Sequence, residues 1–325
     1  MFNTLRTSAR ALATAAILGG LGGLVGTAKA EPLAYPHEVV TLVTHSSPGG
    51  GSDVFLRQLT RYLEKQIAAT FIVENVQGGS GAKAMARLAS APADGTVFYA
   101  TTPTYIYTSL LSSPEATYKD LQPVVNFFTD SEVIYTAASS PYQTLADVIA
   151  KAKADRGKWG AANPASLERQ AAEQLKTAAG VEAAIVSHEG GGDMMINVLN
   201  GTLDIGIGEI AELRAQLEGK QIRLLATFNP ERLPGFPDIP TVRESGFDVS
   251  VQKFRGLAAP KGLPDDIAAI WDKAAEATLA DPDYKKAYET ESLVANFIDH
   301  TAYPAFVDGF VEKTSSFLKS TGVIQ

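Results

Sequence analysis

The feature of this chain that most limits its fold is a repeated order of apolar strand, glycine- or serine-rich loop and amphipathic helix. Val39–Thr44 is an apolar, β-branched run, and the glycine loop 46–53 separates it from a helical pattern over 54–66. A second unit of the same kind follows at 71–89, and a third strand is expected at 97–100. This β–α–β alternation predicts a parallel sheet with helices on its faces.

The alternation begins again after residue 123 and continues to residue 228. Extended chain at 249–258 and two helices, at Asp265–Ala280 and 302–320, then close the sequence. We therefore predict an α/β protein in which a second lobe is inserted into the first. Each lobe is expected to contain a mostly parallel sheet flanked by helices. The predicted lobes are 31–131 plus 256–325 and 132–255, with hinge strands near 131–135 and 251–256.

The first thirty residues have the pattern of a secretory signal peptide. Arg6 and Arg10 precede the uncharged run 11–25, and the segment ends in Ala28-Lys29-Ala30. The run is too short to span the ~30 Å hydrocarbon core of a bilayer. We expect cleavage after Ala30 and a periplasmic protein that is not embedded in the membrane.

Composition and missing motifs exclude several classes of protein. The chain has no Cys, which excludes disulfide scaffolds, thiolate metal sites and Cys nucleophiles. A formal charge of -8 speaks against a nucleic-acid partner. No Lys follows the loop 48–53 as a phosphate-binding loop requires, and the relaxed dinucleotide pattern at 79–84 is weak on its own. We expect no cofactor and no bound metal.

Five loops share a composition suited to binding an anion. Each follows a predicted strand, where open α/β sheets bind their ligands, and nearly all precede a predicted helix. Glycine lets backbone N–H groups approach a ligand closely, and the positive end of a helix dipole favours negative charge. The loops are 46–53, 77–82, 101–104, 163–166 and 188–193.

Two histidines end strands just before these loops. His45 and His188 are expected to donate hydrogen bonds to a ligand or to their own loops. The alternative is an exported hydrolase in which such a His acts with Ser46, Ser47 or Ser52.

Three further side chains have two interpretations each. Arg169, in the first turn of a predicted helix, either makes a bidentate contact with a ligand carboxylate or lies in solvent. Glu209 either accepts hydrogen bonds in the cleft or pairs with Arg169, or it is simply an acidic residue at the N-terminus of a helix. Phe254 supplies either an apolar wall of the site or part of the core.

Several motifs occur in an order typical of one family. They are Tyr35-Pro36, Pro48-Gly49-Gly50-Gly51-Ser52-Asp53, Val73-Glu74-Asn75 before Gly78–Ala82, Ala91-Pro92-Ala93-Asp94-Gly95, Gly201-Thr202-Leu203-Asp204, the segment 233–242 and Gly256-Leu257-Ala258-Ala259-Pro260. With them the chain resembles the Bug-type substrate-binding receptors of tripartite tricarboxylate transporters over essentially all of 35–325.

The resemblance implies a two-lobed, hinged periplasmic-binding-protein-like fold, no catalysis, and a cleft that closes on a small carboxylate. It also implies delivery of that ligand to the membrane subunits of a transporter, and we expect a monomer. Together with the loop analysis, it gives the predicted ligand-binding residues His45, Ser46, Ser47, Gly50, Gly51, Ser52, Gly79, Ser80, Gly81, Ala82, Thr102, Thr104, Asn163, Ser166, Arg169, His188, Gly190, Glu209 and Phe254.

Three departures from the family pattern bear on the ligand. This chain has His45-Ser46-Ser47 where relatives usually have Pro-aromatic-Pro, and Arg169 and Glu209 where they often have His and Asp. These residues favour a ligand with two separated carboxylates, and the resemblance favours an aromatic one such as terephthalate. A C4–C6 aliphatic dicarboxylate or citrate is the alternative.

Overall fold

The computed structural model describes residues 31–320 and 322–325, and its strands form two sheets. The strands are β1 (Val39–Thr44), β2 (Thr70–Asn75), β3 (Val97–Thr101), β4 (Leu121–Asp130), β5 (Glu132–Ala137), β6 (Gly157–Ala161), β7 (Ala183–Ser187), β8 (Ile205–Glu209), β9 (Ile222–Thr227), β10 (Lys253–Pro260) and β11 (Val294–Ile298). The α-helices are α1 (Gly51–Leu63), α2 (Ala82–Ala89), α3 (Pro103–Ser112), α4 (Leu145–Ala154), α5 (Leu167–Ala179), α6 (Gly191–Leu199), α7 (Ile210–Glu218), α8 (Asp265–Ala280), α9 (Pro282–Thr290) and α10 (Tyr303–Ser320).

The first sheet has six strands in the order β11-β4-β10-β3-β1-β2, and the second has five in the order β7-β6-β8-β5-β9. β1 pairs in parallel with β2 and β3, and β6 pairs in parallel with β7 and β8. The other pairs are antiparallel. Both sheets are therefore mixed, whereas the sequence predicted mostly parallel ones. The difference arises because β10 runs antiparallel to β3 and β4, and β5 runs antiparallel to β8 and β9.

Helices cover both faces of each sheet, as the alternation predicts. Trp271 of α8 and Phe55 of α1 are buried on one face of the first sheet, and Met85 of α2 on the other. Trp159 of β6 packs with α4 and α5, while Met194 of α6 packs on the opposite face of the second sheet. Continuous burial along β3 and β5 explains why these strands are apolar runs without polar alternation.

The chain passes from the first sheet to the second at Ser131, between β4 and β5, and returns through β10. Two helices pack against the hydrophobic clusters of both sheets. Tyr105 of α3 belongs to a cluster of the first sheet, whereas Tyr107 belongs to one of the second. α10 likewise begins at Tyr303 in the first and reaches Leu318 in the second. The C-terminal helix thus does not pack against the first sheet alone.

Three elements were not predicted. α3 occupies a segment that we expected to begin as a polar turn; its Pro103 stands at the first helical position, where a missing N–H costs nothing. α9 and β11 lie between the two helices predicted near the C-terminus. α1 also begins three residues earlier than expected, at Gly51, so the glycine loop itself forms the first turn of the helix.

Candidate functional site

Loops of the two sheets meet around a small cavity. Its volume is about 20 Å³, room for roughly one water molecule. Gly190 lies so close to Ser47 that a Cβ on this glycine would be 2.3 Å from the Ser47 hydroxyl oxygen. The cavity is lined by His45, Ser46, Gly51, Ser52, Thr104, Ala162, Asn163, Glu168, Glu189, Gly190, Gly191, Glu209, Glu212 and Lys253.

The N-terminus of α1 binds the carboxyl group of Glu212, a residue of α7, which packs against the second sheet. The backbone N–H of Gly51 donates to Oε2 of Glu212 over 3.0 Å, and the N–H of Glu209 donates to Oε1 over 3.3 Å. The Glu212 carboxyl group therefore lies between the N-termini of α1 and α7, where helix dipoles favour negative charge. Burial, followed by the neighbouring Glu209 and Glu168 carboxylates, nevertheless raises the pKa of Glu212 well above its usual value.

A buried lysine lies between three carboxylates beside the cavity. Nζ of Lys253 is 3.2 Å from Glu132 and 2.8 Å from Glu168, and it also contacts Glu209. The carboxylate oxygens of these three acids lie within 4.8 Å of one another, a spacing that suits a metal ion. Because the lysine ammonium contacts all three, it supplies the positive charge that a metal would bring.

Arg255 of β10 extends this cluster. Its Nε lies 2.6 Å from Asp130, its Nη2 lies 3.1 Å from Glu209, and its Nη1 donates to the hydroxyl of Ser52 over 3.3 Å. Burial alone would raise the pKa of Glu209, but the two cations Lys253 and Arg255 lower it to about 2. Glu209 is thus an ionised carboxylate shared by both cations.

His45 is a neutral side chain at the edge of the cavity. Its Nδ1 lies 2.8 Å from the hydroxyl of Tyr99. Burial, and then the charges of Lys253 and Arg255, lower the pKa of His45 to about 3. It therefore offers hydrogen bonds rather than a positive charge at neutral pH.

Eight of the predicted ligand-binding residues line this cavity: His45, Ser46, Gly51, Ser52, Thr104, Asn163, Gly190 and Glu209. Two others lie at the starts of helices. The Ser166 hydroxyl accepts from the N–H of Arg169 at the start of α5, and Thr102 is the N-cap of α3. The remaining residues outside the lining are Ser47, Gly50, Gly79, Ser80, Gly81, Ala82, Arg169, His188 and Phe254.

Arg169 does not take the position that we expected. Its guanidinium bonds Glu173 at 2.7 Å and the backbone oxygen of Ile185 at 3.2 Å, and it lines a separate groove beside α10. It neither lines the cavity nor contacts Glu209. The preceding residue, Glu168, faces the cavity, because neighbouring residues of a helix point in different directions.

Two other predicted ligand-binding residues, Phe254 and His188, also lie outside the cavity lining. Phe254 is a core residue: its ring packs against Tyr105, Phe306 and Phe310. The ring of His188 is 3.0 Å from the side-chain amide of Asn197 and outside the cavity lining.

Some charged residues outside the predicted loops were not expected from the sequence: Glu168, Glu212 and Lys253 in the cavity, and Glu132 and Arg255 behind it. The available signal was a charged residue inside an otherwise apolar strand. Lys253 and Arg255 stand in the fully buried β10, and Glu132 begins the fully buried β5. A charge placed in such a strand must have a partner, since an unpaired buried charge is very costly.

Comparisons with known proteins agree with this architecture. The model of the tripartite tricarboxylate transporter family receptor, TctC, matches residues 55–323. The chain belongs to this receptor family. A curated relative, "UPF0065 protein in gbd 5'region" of Cupriavidus necator, is 27% identical over 318 residues, covering 96% of this chain and 95% of the relative.

Solved structures show the same periplasmic-binding-protein fold, which confirms the predicted fold class. The R. palustris protein Rpa4515, solved with adipate, has a TM-score of 0.84 at 24% identity, covering 89% of this chain and 99% of its own. The periplasmic binding protein BugD has a TM-score of 0.83 at 22% identity with the same coverage.

TctC receptors are periplasmic substrate-binding proteins and not enzymes, so the hydrolase alternative is set aside. Within residues 31–320 and 322–325, no helix is both long enough and apolar enough to cross a bilayer. The predicted signal peptide, residues 1–30, lies outside the described part of the chain.

Proposed function

We propose that this TctC receptor captures a small organic carboxylate at the N-terminus of α1, between the loops of the two sheets. The observation that carries the proposal is the bond from Gly51 N–H to Glu212. A protein carboxyl group occupies the place where the sequence predicted the carboxylate of a ligand. A ligand carboxylate at this place would accept the same N–H and displace Glu212.

Binding requires the cleft to open. A cavity of about 20 Å³ is far smaller than any organic solute, whose sites usually measure ~300–1,000 Å³. We infer that the lobes separate about the strands near 131–135 and 251–256, which carry the chain between the sheets. The ligand then favours the closed form through contacts that only that form provides.

The charged residues near the cavity bear on the identity of the carboxylate. The family resemblance favours an aromatic dicarboxylate such as terephthalate, with an aliphatic di- or tricarboxylate as the alternative, and Rpa4515 was solved with adipate. The expected cation for a second carboxylate, Arg169, lies outside the cavity. Among the described residues that line the cavity, Lys253 is the permanent cation, and three carboxylates already share it. The positions of these charges favour a ligand with a single carboxylate at the α1 N-terminus over a dianion.

Calorimetric titration and thermal shift with adipate, terephthalate, citrate and monocarboxylates test the proposal. We expect saturable stabilisation by at least one compound with one ligand per chain. Gly51→Ala should abolish binding, because its Cβ would lie 2.6 Å from Oε2 of Glu209. Gly309→Ala in α10, where a Cβ meets nothing within 4 Å, is the matched control and should bind normally. A panel without any stabilising carboxylate would contradict the proposed function.

We also propose that the loaded receptor delivers its ligand to the membrane subunits of a tripartite tricarboxylate transporter. Family membership supports this partner. Uptake of the identified ligand by cells that lack this receptor should fall to background and recover with the intact chain. Normal uptake combined with loss of a transcriptional response would instead indicate a receptor that serves a sensor.

A further inference from the structure

Within the part of the chain that the structure describes, two hydrogen-bond acceptors in the cavity wall have no partner. Oε2 of Glu168 and Oδ1 of Asn163 are buried without a donor, and each residue is only 5% exposed. Both residues line the cavity. A buried acceptor that lacks a donor has lost its hydrogen bonds to water without replacement, so this wall favours a group that donates hydrogen bonds.

The buried acids around the cavity share too few cations among the described residues. Buried carboxyl groups outnumber buried cations here, because Lys253 and Arg255 face Asp130, Glu132, Glu168 and Glu209. Burial and then the adjacent Glu168 carboxylate raise the pKa of Glu132 well above its usual value. Burial also raises the pKa of Asp130, even though Arg255 opposes the shift.

A ligand carboxylate would increase this imbalance. It brings a further negative charge to the N-terminus of α1, and it releases the carboxyl group of Glu212 from the N–H of Gly51. A second ligand carboxylate would add another charge beside Glu168 and Glu209. A ligand cation would instead compensate the acids and supply the missing donors.

Resting on the function proposed above, we propose that the solute carries a cationic nitrogen beside its carboxylate, and that Glu168 and Asn163 receive this nitrogen. The two ends of the ligand then contact different sheets. The carboxylate binds the loop that follows β1, and the nitrogen binds the loop that joins β6 to α5. The ligand class is a zwitterion such as an amino acid or an aminoalkyl benzoate.

Matched compounds that differ only in this group test the proposal on the wild-type protein. The pairs are terephthalate with 4-(aminomethyl)benzoate and adipate with 6-aminohexanoate, titrated by calorimetry at pH 7. We expect the amine of the better-fitting pair to bind about tenfold tighter or more. Equal or tighter binding of the dicarboxylate would overturn the cationic subsite and leave the proposed function intact. Binding of no carboxylate at all, in these pairs or in the wider panel above, would count against both.

Variants on one helix test the residue assignment. Glu168→Gln should reduce the preference for the amine about tenfold, because its side chain keeps the shape and loses the charge. Glu173→Gln, on the solvent side of α5 where it pairs with Arg169, should leave the preference unchanged. Asn163→Ala gives a second measurement that does not disturb the contact of Glu168 with Lys253. An unchanged preference in both Glu168→Gln and Asn163→Ala, with unchanged folding by circular dichroism, would overturn the assignment.

Discussion

The backbone amide of Gly51 donates to the carboxyl group of Glu212 over 3.0 Å, although 161 positions of sequence separate the two residues. Gly51 begins α1 beside the first sheet, and Glu212 lies in the first turn of α7 beside the second. One side chain therefore joins two helix N-termini that belong to different sheets. The position that we propose for the ligand carboxylate is therefore also a link across the cleft.

Glu212→Ala should destabilise the ligand-free protein by about 1–3 kcal/mol, because the N–H groups of Gly51 and Glu209 lose their acceptor. The measurement is urea unfolding at pH 7. Glu218→Ala, in the last turn of the same helix with a side chain 70% exposed, is the control and should change stability by about 0.5 kcal/mol or less. Equal effects of the two variants would argue against the cross-cleft link.

Lys253→Met should destabilise the protein by about 3–5 kcal/mol at pH 7, since it leaves three buried carboxylates without their ammonium partner. The cost should become smaller towards pH 4, because carboxyl groups that lose this partner take up protons. Lys285→Met removes an exposed lysine paired with Glu289 and should cost about 0.5 kcal/mol or less. Unfolding curves at both pH values test this, and a cost that does not depend on pH would contradict it.

His45 should make the wild-type protein lose stability in acid. Its pKa is about 3 in the folded protein against an ordinary value of 6.5, so below pH 6.5 the unfolded chain binds a proton that the folded chain excludes. The difference in unfolding free energy between wild type and His45→Gln should fall by about 1.4 kcal/mol per pH unit between about pH 6 and 4. Urea unfolding of both proteins at each pH measures this difference. A constant difference would show that His45 is protonated in the folded state.

Arg169→Ala should leave ligand affinity unchanged to within about 0.5 kcal/mol, because its guanidinium bonds Glu173 outside the cavity. Arg232→Ala, which breaks an exposed pair with Glu244, is the matched control. Calorimetric titration of both variants with the same ligand should give equal constants. A much weaker Arg169→Ala complex would restore the interpretation of Arg169 as a ligand contact.

Local sequence patterns predicted most elements of the fold. The apolar run of β1 and the amphipathic spacing of α8 can each be identified within a few residues, because burial of one face imposes its own periodicity. α9 and β11 were not predicted because few of their residues are buried, so their sequences show little hydrophobic periodicity. Three of the five residues of β11 are exposed, and α9 has only two buried residues, Tyr284 and Tyr288.

Backbone features of the site were easier to predict than its charges. Gly51 and Gly190, which line the cavity, were predicted because a glycine loop between strand and helix is visible as a local motif, whatever the rest of the chain does. Arg169 and Glu168 show the opposite case. They are neighbours at the start of α5, and only the rotation of that helix decides which of them faces the cavity.

The sequence by itself determined the two α/β units and the glycine loops at the strand ends, since these follow from periodicity and from the backbone freedom of glycine within short segments. Tertiary structure alone decided the electrostatics of the cleft. Lys253, Glu132, Glu168 and Glu209 come from four different elements and meet only after both sheets have formed. Charge interactions act through space rather than along the chain, so no local pattern could show that the cleft holds more acids than bases.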